Sequence, residues 1–84
     1  MIVRVRFFSL IADELGRREA VLSLSGRRIT VQDLVDHLKR LFPRLQDLER
    51  MTDIIVLVNG EAVGKDYRIR EGDEVALIPP ASGG

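Results

Sequence analysis

Between residues 2 and 8 apolar and polar side chains alternate, with Val3, Val5 and Phe7 on one parity and Arg4, Arg6 and Phe8 on the other. Alternation with a period of two is the mark of a half-buried strand. Gly16-Arg17-Arg18 interrupts the pattern, and Ala20, Leu22 and Leu24 resume it as the inner face of a second strand. The two strands read as a hairpin-like pair, although residues 9–16 are too many for a tight turn. Leu10, Ile11, Ala12 and Leu15 within that connection suit a short helical turn. The period then changes. Val31, Leu34, Val35, Leu38, Leu41 and Phe42 follow helical spacing. Thr30-Val31-Gln32-Asp33 opens this helix with a capping-box pattern, Asp33 standing where glutamate is usual. Pro43 stops it, because proline disfavours helical geometry in the residue before it. Leu45, Leu48 and Met51 predict a shorter second helix.

The remaining apolar segments return to strand character. Ile54, Ile55, Val56, Leu57 and Val58 form an unbroken aliphatic run, the signature of a central strand buried on both faces. Asn59-Gly60 supplies the left-handed backbone angles of a tight hairpin turn, and Glu61, Ala62 and Val63 lead away from it. After an irregular stretch around Tyr67, Glu71-Gly72-Asp73 makes another turn. A last strand runs from Glu74, with Val75 and Leu77 facing opposite to Ala76 and Ile78. Pro79-Pro80 ends it, since proline cannot donate to a ladder. The order strand, strand, helix, strand, short strand, strand predicts an α+β fold with the helix across one face of a mixed sheet of four to five strands. The β-grasp arrangement fits that order best. Residues 1–78 are expected to form one domain and residues 79–84 an extended tail.

Composition narrows the chemistry. In 84 residues there is room for a modest core and little for a deep enzyme cleft besides. Thirteen basic and thirteen acidic residues cancel, so bulk charge steers the chain toward neither nucleic acid nor an anionic membrane. With no cysteine, disulfides, thiolate catalysis, iron–sulfur clusters and the usual structural zinc sites are excluded. No apolar run approaches the length of a membrane span, and the first residues alternate instead of forming an apolar signal region, so the cytoplasm is the expected compartment.

Among candidate reactive groups, the lone His37 lies on a helix with no second ligand spaced to share a metal. No metal site is expected. Glu71, Asp73 and Glu74 read as turn chemistry and solubility, and Gly60, Gly64 and Gly72 are too dispersed to cradle a phosphate. Arg4, Arg6 and Phe8 share an outer face, but one aromatic between arginines is too little for a nucleic-acid platform. Phe8 and Ile78, both on outward parity of their strands, instead suggest an apolar docking patch.

The last residues carry the strongest signal. Two glycines at a chain end arise by chance in roughly one chain in two hundred. Pro79-Pro80 holds an extended conformation, so residues 79–84 are expected to project by roughly 18–20 Å. Gly83-Gly84 has no side chains and can thread a narrow channel into a partner's active site. A terminal carboxylate is ionised and is a poor acyl electrophile until a partner enzyme gives it a leaving group such as AMP, from ATP.

Val58-Asn59-Gly60, the segment Gly72-Asp73-Glu74-Val75-Ala76-Leu77-Ile78-Pro79-Pro80 and the end Ala81-Ser82-Gly83-Gly84 together resemble the MoaD-type small subunit of molybdopterin synthase, a ubiquitin-like sulfur carrier family. The resemblance covers the whole chain in length and element order and is most specific in the last thirteen residues. It implies that Gly84 is adenylylated by an E1-like adenylyltransferase and converted to a thiocarboxylate with sulfur from a donor protein. It further implies that the charged carrier binds a large catalytic subunit, where sulfur is added to the pterin precursor. Gly83 would then thread the tail, and Phe8, Ile78, Pro79 and Pro80 would contact partners. Ser9 after Phe8, and Ile78 in place of an aromatic, are mild departures from the family pattern. No bound cofactor is implied, and ATP is used by the activating enzyme. Sulfur carriers of thiamine or cysteine synthesis, and ubiquitin-like protein modifiers, share the fold and the Gly-Gly end and remain alternatives. Thiamine carriers are typically shorter between the second and third strands, where this chain has space for two helices.

Overall fold

The computed structural model describes residues 1–80; Gly83 and Gly84, with the rest of residues 81–84, lie outside the described residues. Strand β1 (Ile2–Phe7) is followed by helix α1 (Ser9–Leu15), which fills the connection to β2 (Glu19–Ser23). Strand β3 (Ile29–Thr30) leads directly into α2 (Val31–Leu41) and α3 (Pro43–Met51). Then come β4 (Ile55–Val58), β5 (Glu61–Ala62), β6 (Arg68–Ile69) and β7 (Glu74–Ile78). The main sheet has the order β2-β1-β7-β4-β5, and β3 pairs with β6 in a separate two-stranded ladder. Strand β7 runs parallel to β1 and antiparallel to β4, so the first and last strands lie side by side at the centre. This is the β-grasp.

Strand parity follows the alternation in the sequence. Val3, Val5 and Phe7 are buried, as are Ala20 and Leu22 on β2, Leu24 just after it, and Val75 and Leu77 on β7. They meet Ile11 of α1, Val31, Leu34, Val35 and Leu38 of α2, and Leu45 and Leu48 of α3 in one apolar cluster. The described residues include no buried polar or charged side chain, so no ion pair is desolvated in the core. Phe7 meets Phe42 edge to face with ring centroids 5.8 Å apart, and the Arg17 guanidinium lies 5.1 Å above the outer side of the Phe42 ring.

Three expectations are corrected. The aliphatic run of β4 lies inside the sheet, between β7 and β5, but is not buried on both faces. Strand β4 is covered on one face only: Val56 and Val58 are buried, whereas Ile55 and Leu57 are half-buried on the face that no helix covers. Leu41 and Met51 overrun the buried stripes of their helices and are 50% and 76% exposed. Strand β1 also ends at Phe7; Phe8 is the N-cap of α1, in extended geometry, and its N–H donates to Leu77 O at 3.2 Å.

The capping box forms as the sequence indicates. Thr30 Oγ1 accepts from Asp33 N at 3.2 Å, and Asp33 Oδ2 accepts from Thr30 N at 3.0 Å. The backbone bond from Thr30, reinforced by its hydroxyl, holds the Asp33 carboxyl below its ordinary range.

Candidate functional site

The helices cover one face of the main sheet and leave the other open. Register places Arg4 beside Glu74 and Arg6 beside Ala76 across the β1–β7 pair, with Leu57 opposite Ala76 and Ile55 opposite Ile78 across β7–β4. Directly opposed residues share a face, so these side chains form one surface. Arg6, Phe8, Leu57, Ala76 and Ile78 line a shallow depression of about 320 Å³ on it, bounded by Gly60 and Glu74. The structure thus brings Phe8, just past the end of β1, together with Ile78 of β7. Phe8 is 44% exposed and Ile78 half-buried. Arg6 contributes the positive rim of the depression. On the same face Arg4 Nε pairs with Glu19 at 2.7 Å.

The depression sits where the chain leaves the sheet. Strand β7 ends at Ile78; Pro79 is half-buried and Pro80 exposed. The other end of the strand is fastened by side-chain hydrogen bonds. Asn59 adopts a left-handed backbone (φ 52°), followed by Gly60 at φ 86°. Its side-chain amide donates to Asp73 Oδ1 at 3.0 Å, and its Oδ1 accepts from Glu74 N at 3.0 Å. Asp73 Oδ2 in turn accepts from Arg70 N at 2.8 Å. Glu71 Oε2 accepts from Ile2 N at 3.2 Å, tying the same turn to the start of β1. The acidic group around Gly72 is therefore a fastening for β7, as turn chemistry requires, and its carboxylates are not paired for acid–base work.

The sequence pattern alone does not single out Leu57 and Ala76. Leu57 is masked by the unbroken aliphatic run of β4; its parity with Ile55 against Val56 and Val58 is the signal that finds it. His37 lies away from the depression, on a groove between α2 and the end of β2. Among the described residues no three potential ligands gather to hold a metal ion, and no helix is long and apolar enough to cross a membrane.

The open face thus carries an apolar depression with the end of β7 at its rim. The ThiS family matches residues 5–84. Small archaeal modifier protein 1 of Haloferax volcanii is 36% identical over 85 residues, covering 94% of this chain and 97% of the relative. Its crystal structure superposes with a TM-score of 0.84 at 33% identity over the full length of both chains. The molybdopterin synthase sulfur carrier subunit of Dictyostelium discoideum is 26% identical over 83 residues, 96% of this chain and 94% of the relative. A chain from the complex of subunits 1 and 2 of molybdopterin-converting factor from Helicobacter pylori shares the fold, with a TM-score of 0.70 at 19% identity and full coverage of both chains. With a family match over nearly all its residues, a β-grasp sheet and an open face beside the chain exit, the protein belongs to the ThiS family, alongside sulfur carriers and ubiquitin-like modifiers.

Proposed function

We propose that the protein is the sulfur carrier of molybdopterin synthesis and that Gly84 is its working residue. The observation that carries this reading is the coincidence of the chain exit at Ile78, Pro79 and Pro80 with the apolar depression around Phe8. A partner that covers the depression lies beside Ile78, from which Pro79 and the last residues continue. The chemistry asked of the chain is small. An E1-like adenylyltransferase joins the Gly84 carboxylate to the α-phosphate of ATP and releases pyrophosphate. A sulfide equivalent from a donor protein then attacks the carbonyl carbon, the C–O bond to AMP breaks, and a thiocarboxylate remains. The carrier next docks on a large catalytic subunit through Phe8 and Ile78, and Gly83 lets the tail enter that subunit's site. The lack of cysteine supports this division of labour, because no side chain can hold the sulfur instead.

The Dictyostelium relative, itself a sulfur carrier subunit of molybdopterin synthase, supports the pathway. The Haloferax relative supports a second reading, in which the activated glycine acylates a lysine of another protein. One experiment separates them. The protein is incubated with ATP, its activating enzyme and a sulfide donor, then with the large subunit and the pterin precursor. Sulfur appearing in the pterin supports the carrier. Isopeptide adducts in a lysate, with no sulfur transferred, select the modifier.

A further inference from the structure

A second surface lies along the edge of the main sheet, two strands from β7. Strand β2 forms one edge of the main sheet, and among the described residues only β1 pairs with it. Met1 N donates to Leu24 O at 2.9 Å, Leu24 N to Met1 O at 2.8 Å, and Phe7 N to Arg18 O at 2.9 Å. In an antiparallel ladder inward bonding alternates, so Ala20 and Leu22 also bond toward β1. The N–H and C=O groups of Glu19, Val21 and Ser23 therefore face outward along a free edge. Val21, in the middle, is 58% exposed.

The edge is basic at both ends. Arg17 and Arg18 precede β2, and Arg27 and Arg28 follow it. At its C-terminal end Ser23, Leu24, Ser25, Arg28, Ile29, Asp33, His37 and Arg40 line a groove of about 300 Å³ against α2. The acid in this set, Asp33, is turned back to cap its own helix through Thr30 N. Among the described residues neither Arg28 nor Arg40 has an ion-pair partner.

We propose that the free edge of β2 is a docking site for an extended acidic peptide segment of a partner protein, which adds as a sixth strand beside Glu19, Val21 and Ser23 and sets its carboxylates against Arg28 and Arg40. Main-chain bonds give such additions their affinity, and side-chain pockets give specificity. Charge argues against a second copy as occupant. Two-fold pairing of β2 with itself about Val21 brings the arginine pair at one end toward the pair at the other end of the second strand, a repulsion that discourages edge-to-edge association.

The test uses the full chain, labelled with ¹⁵N, and a blocked octapeptide alternating valine and glutamate. Its counterpart alternates valine and lysine. At saturation the acidic peptide is expected to slow exchange of the Glu19, Val21 and Ser23 amides by about tenfold or more, and the lysine peptide is expected not to bind. Replacing both Arg28 and Arg40 with Glu should weaken binding of the acidic peptide by about tenfold or more. Val21→Pro removes an outward N–H without touching the β1 ladder, so it should abolish binding and leave the thermal midpoint within a few degrees. If that variant unfolds, the arginine pair decides. The proposal is overturned by any of four results: no binding at about 1 mM peptide, equal binding of both peptides, protection centred on Phe8 instead of β2, or protection of the β2 amides that grows with protein concentration alone.

Discussion

Phe7 and Phe8 are adjacent in sequence and opposite in environment. Phe7 is 2% exposed against the ring of Phe42, whereas Phe8 turns to the open face. Phe7→Ala should cost about 3–5 kcal/mol of stability, as large-to-small changes in cores do. Phe8→Asp should cost the free protein under about 1 kcal/mol. Burying a phenylalanine contributes roughly 1.5–3 kcal/mol, so the same change should weaken binding to a large subunit about tenfold or more. Thermal melts and titration calorimetry on both variants check this; if Phe8→Asp unfolds the protein while binding survives in Phe7→Ala, the docking face is misplaced. Asp33 gives a pH signature at the same scale. Its carboxyl titrates lower in the folded chain than its ordinary value of 3.8, so between the two values the unfolded state binds more protons. The stability it contributes is full above about pH 4 and fades as pH falls through the lower, folded value. Asp33→Asn should flatten that part of the acid-denaturation curve, and an unchanged slope would show that the cap does not act through charge.

At the scale of elements, the fastening around Asn59 decides where β7 sits. Asn59→Ala removes both side-chain bonds and a residue suited to left-handed geometry, so it should lower stability by about 1–2 kcal/mol in denaturant melts. At Gly60, φ is 86° and nothing lies within 4 Å of an added Cβ, so Gly60→Ala should cost about 1 kcal/mol from backbone strain alone. A loss near zero for both would mean that the turn is not what holds the strand. Much of this level was legible beforehand. The alternation of Val3, Val5 and Phe7, the Thr30–Asp33 cap, the Pro43 break and the Asn59-Gly60 turn are local signals that tertiary packing leaves intact. Strands β3 and β6 were not legible, because two residues each carry no period and their pairing joins positions far apart in sequence. The β4 run misled for a related reason: β-branched residues fit any strand, and only the absence of a covering layer leaves Ile55 and Leu57 half-buried. The depression needed three strands brought into register. Parity alone indicated Phe8 and Ile78 but not Leu57 or Ala76.

For the whole molecule, fold and function are separable under this account. Among the described residues the buried apolar cluster runs from Val3 to Leu77, so stability should reside in the β-grasp body. Deleting Gly83-Gly84 should leave the thermal midpoint almost unchanged while abolishing sulfur transfer, since the body keeps its buried area. A large drop in the midpoint would mean that the last residues pack as part of the fold.

The central claim is that the chain's own Gly84 carboxylate carries the sulfur. Intact-protein mass spectrometry after incubation with ATP, the activating enzyme and a sulfide donor tests it most directly. The expected product is heavier by the difference between sulfur and oxygen, with fragment ions placing the change at Gly84. Sulfur mapped to any internal residue, or a protein unchanged in mass while its activating enzyme turns over ATP on it, would contradict the account.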